Sequence, residues 1–230
     1  MANGVMFDFS GTLMRVESVG EWLGAVLAEA AVPADGEQFS DWVGQLTEYG
    51  ALPGEPAPRH IPAHLEQLWR ERDLSAHQHR AAYTALIAEA GLPRAELTQA
   101  LYDRHKTPAA WRPYPDTEAT LRELRRRGVP VAVVSNIGWD LRPVFRAHDL
   151  DGLVDAYVLS FELGRQKPDP AIFRAACDTL GLPPSEVLMV GDDRTADGGA
   201  KALGCPVHFV DHLPVDQRPA GLAPVLDLFD

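Results

Sequence analysis

Asp8 stands at the end of the apolar run Val5-Met6-Phe7, and Phe9-Ser10-Gly11-Thr12-Leu13 follows it. A short buried strand that ends in a carboxylate and leaves the sheet through a glycine-permitted turn fits this order. The carboxyl ends of strands are where open α/β sheets bind ligands. A second strand-like run, Val129 to Val134, leads directly into Ser135-Asn136 and so puts a hydroxyl at the same sheet edge. Lys167 lies in Gly164-Arg165-Gln166-Lys167-Pro168-Asp169-Pro170, where two prolines fix the backbone around one lysine. A lysine just before a helix start can pair with an anion and a carboxylate together. Asp192, Asp193 and Asp197 follow a third apolar run, Val187 to Val190. Asp192 falls on the loop, and Asp197 points back from the first helical turn. Carboxylates gathered near Asp8 repel one another unless a cation joins them. Hard oxygen ligands of this kind suit Mg²⁺. Asp193 either caps the following helix or supports the ligands. Taken singly, each segment also reads as an ordinary turn, cap or rigid loop.

The elements that must position these residues follow from periodicity. After Leu13 the pattern is helical for roughly ninety residues. Stripes run through Val19–Ala30, Phe39–Leu46, Leu65–Arg70, Tyr83–Ala90 and Leu97–Tyr102, with a Pro- and Gly-rich loop from Tyr49 to Pro62. Five amphipathic helices with no strand between them read as a helical bundle. From Trp111 onward, helix and strand alternate. Asp116 is placed to cap a helix running to about Arg127. Strands are expected at Val129–Val134, Val154–Leu159, Val187–Val190 and Val207–Val210. Helices are expected at Trp139–His148, Pro170–Leu180, Arg194–Leu203 and Ala220–Phe229. This alternation implies a parallel sheet with right-handed crossovers, which the first strand joins. The bundle is then an insertion in an α/β core.

Together the four segments resemble the haloacid dehalogenase (HAD) superfamily of hydrolases. Asp8 and Thr12 match its Asp-x-Asp-x-Thr first motif, Ser135 its second, Lys-Pro-x-Pro at Lys167 its third, and Gly191-Asp192 with Asp197 its acidic fourth. The resemblance implies an α/β, Rossmann-like three-layer core of residues 1–14 and 108–230, with an all-α cap of residues 15–107. It further implies that Asp8 is the nucleophile, that Ser135, Asn136 and Lys167 hold a phosphoryl group, and that Mg²⁺ binds Asp8, Asp192, Asp193, Asp197 and the backbone carbonyl of Ser10. Ser10 departs from the family pattern, which has an acid/base Asp there.

The leading expectation is Mg²⁺-dependent hydrolysis of a small phosphorylated metabolite through an aspartyl-phosphate. It is slow, because a hydroxyl at Ser10 is a poor acid or base near neutrality. The alternatives are a haloacid dehalogenase-like hydrolase and a HAD-fold binding or regulatory protein with little turnover. Family dehalogenases carry Tyr at the Ser10 position, need no metal and place an arginine early in the cap. Here no arginine lies between Arg15 and Arg59. Phosphonate hydrolases of the fold use a cap lysine, and no lysine occurs between Leu13 and His105.

Composition bounds the rest. A chain of 230 residues with 46% apolar and 23% charged residues is long enough for a sizeable core. A formal charge of −12 opposes binding to nucleic acid. The two cysteines, Cys177 and Cys205, read as core residues of a reducing, cytoplasmic setting. No apolar run approaches the ~20 residues of a membrane span. Arg59 and His60, on the long loop, read as solvated loop charge, with facing an anionic substrate as the alternative. The sequence carries no sign of an oligomeric state.

Overall fold

A computed structural model describes residues 2–55, 58, 60–92 and 94–229. The chain opens with strand β1 (Gly4–Phe7) and a short strand β2 (Met14–Val16). Helices α1 (Val19–Glu29), α2 (Gly36–Glu48), α3 (Glu66–Arg70), α4 (Ala76–Glu89) and α5 (Ala95–Arg104) come next. Strand β3 (Trp111–Pro113), helix α6 (Thr117–Arg126), strand β4 (Val131–Ser135) and helix α7 (Arg142–Ala147) follow. The remainder comprises β5 (Ala156–Leu159), α8 (Ser160–Leu163), α9 (Pro170–Leu180), β6 (Val187–Gly191) and β7 (Val207–Phe209). Among the described residues no helix is long and apolar enough to cross a membrane.

Five strands form one parallel sheet in the order β5-β4-β1-β6-β7. β1, β4 and β6 are buried along their whole length, which is why their sequences are unbroken apolar runs rather than alternating ones. Phe7 pairs with Val133 on one side and Val190 on the other. That register brings the residues just past all three strands to one edge. The chain winds outward from β1 in both directions, so this edge is a topological switch point, where a crevice opens.

The α1–α5 segment sits on the core through a feature the sequence analysis did not anticipate. β2 and β3 form an antiparallel ribbon, with Met14 opposite Pro113 and Val16 opposite Trp111. Three-residue strands carry too little pattern to be read from sequence. Phe9, directly after Asp8, is fully buried beside this ribbon. Its ring lies 4.4 Å from Trp111, 5.8 Å from Phe145 and 6.3 Å from Trp139, centroid to centroid. The loop after Asp8 is thus anchored by an aromatic cluster.

Four expectations need correction. Asp116 makes no side-chain bond to its own helix; its Oδ2 accepts from the Leu222 and Ala223 amides and ties the tail to the core. The helix expected from Arg194 is a 3₁₀ segment from Asp197 to Leu203. Close approach dictates this, since a Cβ on Gly199 would lie 2.6 Å from the Pro168 carbonyl. The helix expected from Trp139 begins only at Arg142, because buried Trp139 and Leu141 turn inward first. The tail is 3₁₀ from Ala223 to Phe229.

Phe9→Ala leaves a cavity in this cluster. It is expected to lower unfolding free energy by about 3–5 kcal/mol, measurable by urea titration.

Candidate active site

The loop after β1 is built around close contacts. The Asp8 amide donates to Val190 O at 2.9 Å, the last ladder bond of that strand. Gly11 then takes φ +77°, and a Cβ there would fall 2.2 Å from His212 Nδ1 and 2.5 Å from Asp192 Oδ2. Only glycine satisfies both constraints. Thr12 Oγ1 donates to Asp192 Oδ1 at 3.2 Å. From the tail, the buried Arg218 guanidinium donates to Gly11 O at 2.6 Å and also to Thr12 O, and stacks on Tyr114. The loop is therefore held from below by carbonyl contacts and from the side by Asp192.

Lys167 is the centre of the site. The residue is 4% exposed, and its ammonium donates to Asp8 Oδ1 and Asp197 Oδ1, each at 2.6 Å. Asp197 is fully buried, and it reaches this position because Gly191 has no side chain. A Cβ on Gly191 would sit 2.1 Å from Asp197 Oδ2. That same oxygen accepts from the Asp193 amide at 2.9 Å. Asp8, Asp192 and Asp197 each offer an oxygen, and these lie within 4.8 Å of one another.

Two residues are placed differently from expectation. Asn136 does not turn its amide toward a phosphoryl group. Its Nδ2 donates to Lys167 O at 2.9 Å, and its Oδ1 accepts from the Lys167 amide at 2.6 Å. Both polar atoms of its side chain thus position the Lys167 backbone. The Asp193 carboxylate lies outside the converging acids and caps its own turn, with Oδ1 accepting from the Thr195 and Ala196 amides. Asp193 still lines the cleft, but its Oδ1 is held by these backbone donors, the capping role that was one of its two expected ones. Ser135 is buried at the end of β4 and lines the cleft. Ser10 Oγ donates across the cleft to Gly54 O at 3.0 Å, a carbonyl that also accepts from Arg15 Nη1 at 3.0 Å. Arg59 lies outside the described residues, and His60 is exposed.

The electrostatics follow from three acids sharing one ammonium. Burial raises the Asp8 pKa well above the ordinary carboxylate value; Lys167 opposes this rise, and the charges of Asp197 and Asp192 add to it. Burial also raises Asp197, with Lys167 offsetting part of the effect. Burial disfavours the Lys167 ammonium too, but Asp197 and Asp8 outweigh it, so the lysine stays charged. Asp192 resists its own burial through the hydrogen bond and charge of His212 and remains below the ordinary value.

The opposite wall of the cleft comes from the helical segment: Trp69, Arg72, Asp73, His79 and Tyr83 face the acids across about 190 Å³. The sequence analysis missed these residues and His212. His212 stands just beyond β7 at the same carboxyl edge, a signal available in the sequence. Arg72 and Asp73 fall between the Leu65–Arg70 and Tyr83–Ala90 stripes, on a 3₁₀ turn that carries no pattern of its own.

A parallel sheet that gathers acids and a lysine at its strand ends defines an enzyme site. The chain belongs to the haloacid dehalogenase-like hydrolases, whose family model matches residues 2–204. It is 34% identical over 154 residues to (S)-2-haloacid dehalogenase 4A of Burkholderia cepacia, covering 61% of this chain and 66% of that protein. It is 33% identical over 162 residues to a phosphoserine phosphatase of Thermus thermophilus, covering 64% of each. In both cases the match spans just under two thirds of the relative's length. The structure of L-2-haloacid dehalogenase from Xanthobacter autotrophicus with chloropropionic acid covalently bound aligns at TM-score 0.62 and 26% identity, over 97% of this chain and 83% of that one. His212 and Arg218 lie beyond the residues the family model matches.

Lys167→Met removes the shared ammonium. In metal-free buffer the loss of stability is expected to reach about 3–5 kcal/mol at pH 8. The deficit shrinks as pH falls toward 4, because the acids then bind protons and need no counter-charge. Denaturant titrations at both pH values measure the difference.

Proposed function

We propose that the protein is a Mg²⁺-dependent phosphatase that cleaves small phosphoesters through an aspartyl-phosphate on Asp8. The observation that carries this reading is the charge imbalance of the site: three converging carboxylates and one lysine, at the place where an anionic phosphoryl group must arrive. The donor set fits a hard divalent cation, and Asp197 and Asp192 add their charge to the burial that raises the Asp8 pKa. Asp8 and Asp192 would hold the ion, with Asp197 and the Ser10 carbonyl nearby. When bound, Mg²⁺ neutralises phosphoryl charge as it approaches Asp8.

The protein's own residues supply the remaining steps. Lys167 fixes one Asp8 oxygen and leaves the other to attack phosphorus. Ser135 and Lys167 orient the phosphoryl oxygens. The Asp8–phosphorus bond forms as the ester P–O bond breaks, and the leaving alkoxide then needs a proton. Ser10 is a poor donor, and its hydroxyl is already bonded to Gly54 O. Water next attacks phosphorus, releasing inorganic phosphate and restoring Asp8. Residues 15–107 act as a cap on the core of residues 1–14 and 108–230, and contacts such as Gln166 Nε2 to Arg70 O (2.8 Å) join the two. The two buried free cysteines support a reducing, cytoplasmic setting.

A second reading is haloacid dehalogenation. It is favoured by Lys167, whose ammonium bonds both Asp8 and Asp197, and by the dehalogenase relatives. Assays of p-nitrophenyl phosphate and 2-chloropropionate, each with Mg²⁺ and with excess chelator, separate the two. Phosphate release that needs Mg²⁺ and disappears in folded Asp8→Asn is expected. Chloride release that survives chelation would support the second reading and overturn the first.

Lacking a proton donor, the enzyme is expected to favour aryl over alkyl phosphates. Ser10→Asp is expected to raise alkyl phosphate turnover by about 10²-fold or more relative to aryl turnover. Arg15 still holds Gly54 O in that variant. An unchanged aryl-to-alkyl ratio would show that Ser10 does not occupy an acid/base position.

A further inference from the structure

His212 reaches the acids from the tail, beyond the residues the family model matches. Its Nδ1 lies 2.5 Å from Asp192 Oδ2. A carboxylate only accepts hydrogen bonds, so Nδ1 carries the proton and donates it. Thr12 Oγ1 holds the other oxygen, Oδ1, at 3.2 Å. Asp192 is thereby gripped at both oxygens, and each keeps a lone pair for another partner. The second ring nitrogen, Nε2, is buried without a hydrogen-bond partner, so Asp192 alone orients the ring by hydrogen bonding.

The backbone around His212 is built for this placement. The Val210 amide donates to Gly191 O at 3.0 Å, just past the end of β7. The Leu213 amide donates to Asp211 O at 3.1 Å, which makes a three-residue turn with His212 at its tip. Both flanking carbonyls are tied down. Asp211 O accepts from Arg218 Nη1 at 3.1 Å, and Leu213 O accepts from the Tyr114 hydroxyl at 2.6 Å. Arg218 Nη1 also donates to Gly11 O at 2.6 Å, so the tail turn and the loop after Asp8 share one buried guanidinium. The imidazole occupies the space that a Cβ on Gly11 would need.

The last torsion of an aspartate is broad, so a bond to one oxygen lets the carboxylate rock, whereas a donor on each oxygen stops it. We propose that His212 is a positioning residue for the divalent-cation site, its Nδ1–H holding the Asp192 carboxylate in the orientation that groups it with Asp8 and Asp197. The inference rests on the cation site of the phosphatase reading. The oxygens of these three acids lie within 4.8 Å of one another, and Asp192 is the one held by neither Lys167 nor a backbone amide. Its placement therefore depends on Thr12 and His212. His212 acts through Asp192 and is not itself a ligand. Partners that orient a ligating carboxylate from behind are worth about 10–100-fold in metal affinity.

Binding of Mn²⁺ to the metal-free protein, read from the electron paramagnetic resonance of the unbound ion and repeated with Mg²⁺ as competitor, tests this without turnover. His212→Ala is expected to raise the Mn²⁺ dissociation constant about 10–100-fold. His212→Phe, which fills the same space without a donor, is expected to match it and keeps the test open if the alanine variant does not fold. His212→Asn is expected to recover most of the affinity, because its amide nitrogen stands where Nδ1 stood. Urea unfolding of the metal-free variants reads stability separately. Loss in Ala and Phe with recovery in Asn is a pattern that a merely structural role does not produce. Wild-type or tighter binding in the donor-free variants, or an Asn variant as weak as they are, overturns the inference while the cation site stands. If the wild-type protein binds neither ion, the cation site and the Mg²⁺-dependent reading fall, and the role given to His212 falls with them.

Discussion

The site depends on a single buried ammonium that bridges two carboxylates. Lys167 reaches Asp8 and Asp197 at 2.6 Å each, in surroundings where an isolated charge is costly. Several unrelated features exist to make that bridge possible. Gly191 makes space for Asp197, and Asn136 grips the Lys167 backbone at both its N–H and its C=O. Gly199 lets the following segment press against Pro168. Phe9 pins the strand end that carries Asp8 into the aromatic cluster. Disturbing any of these shifts the distances on which the charge balance rests.

That balance is incomplete, and the functional account follows from its incompleteness. Asp192 brings a third carboxylate and settles its own charge with Thr12 and His212. Asp8 is bonded by Lys167, yet burial with the charges of Asp197 and Asp192 still raises its pKa. A site with surplus negative charge does not attract a phosphoryl group unless further positive charge arrives with it. The dehalogenation reading asks less of the site, since an uncharged carbon centre can approach Asp8 with Lys167 alone. The two chemistries therefore differ in how many cations they need, and the count of acids favours the first.

Much of this was legible in the sequence because fully buried parallel strands leave unbroken apolar runs. The runs at Val5, Val131 and Val187 located the sheet edge, and the polar residues just past them gave Asp8, Ser135, Asp192 and Asp197. What stayed hidden depends on contacts between distant segments. Whether Asn136 faces substrate or grips Lys167 is decided by a loop 31 residues away. Asp193 and Asp197 look alike as letters, and only the turn between them sets one to cap backbone and the other to reach Lys167. His212 and Arg218 enter the site from a tail that the sheet must first bring back to β1. Arg72 lies on a short turn between two helical stripes and carries no signal until that segment is folded over the cleft.

The central claim is that Asp8 carries the phosphoryl group during turnover, and trapping that group tests it most directly. Enzyme mixed with p-nitrophenyl phosphate and Mg²⁺, quenched in acid within one turnover and analysed by peptide mass spectrometry, is predicted to show one phosphoryl group on Asp8. Slow loss of the adduct is expected because Ser10 cannot efficiently activate water. Nitrophenol release with Asp8 unmodified throughout the first turnover, or with the phosphoryl group on another residue, would contradict the account.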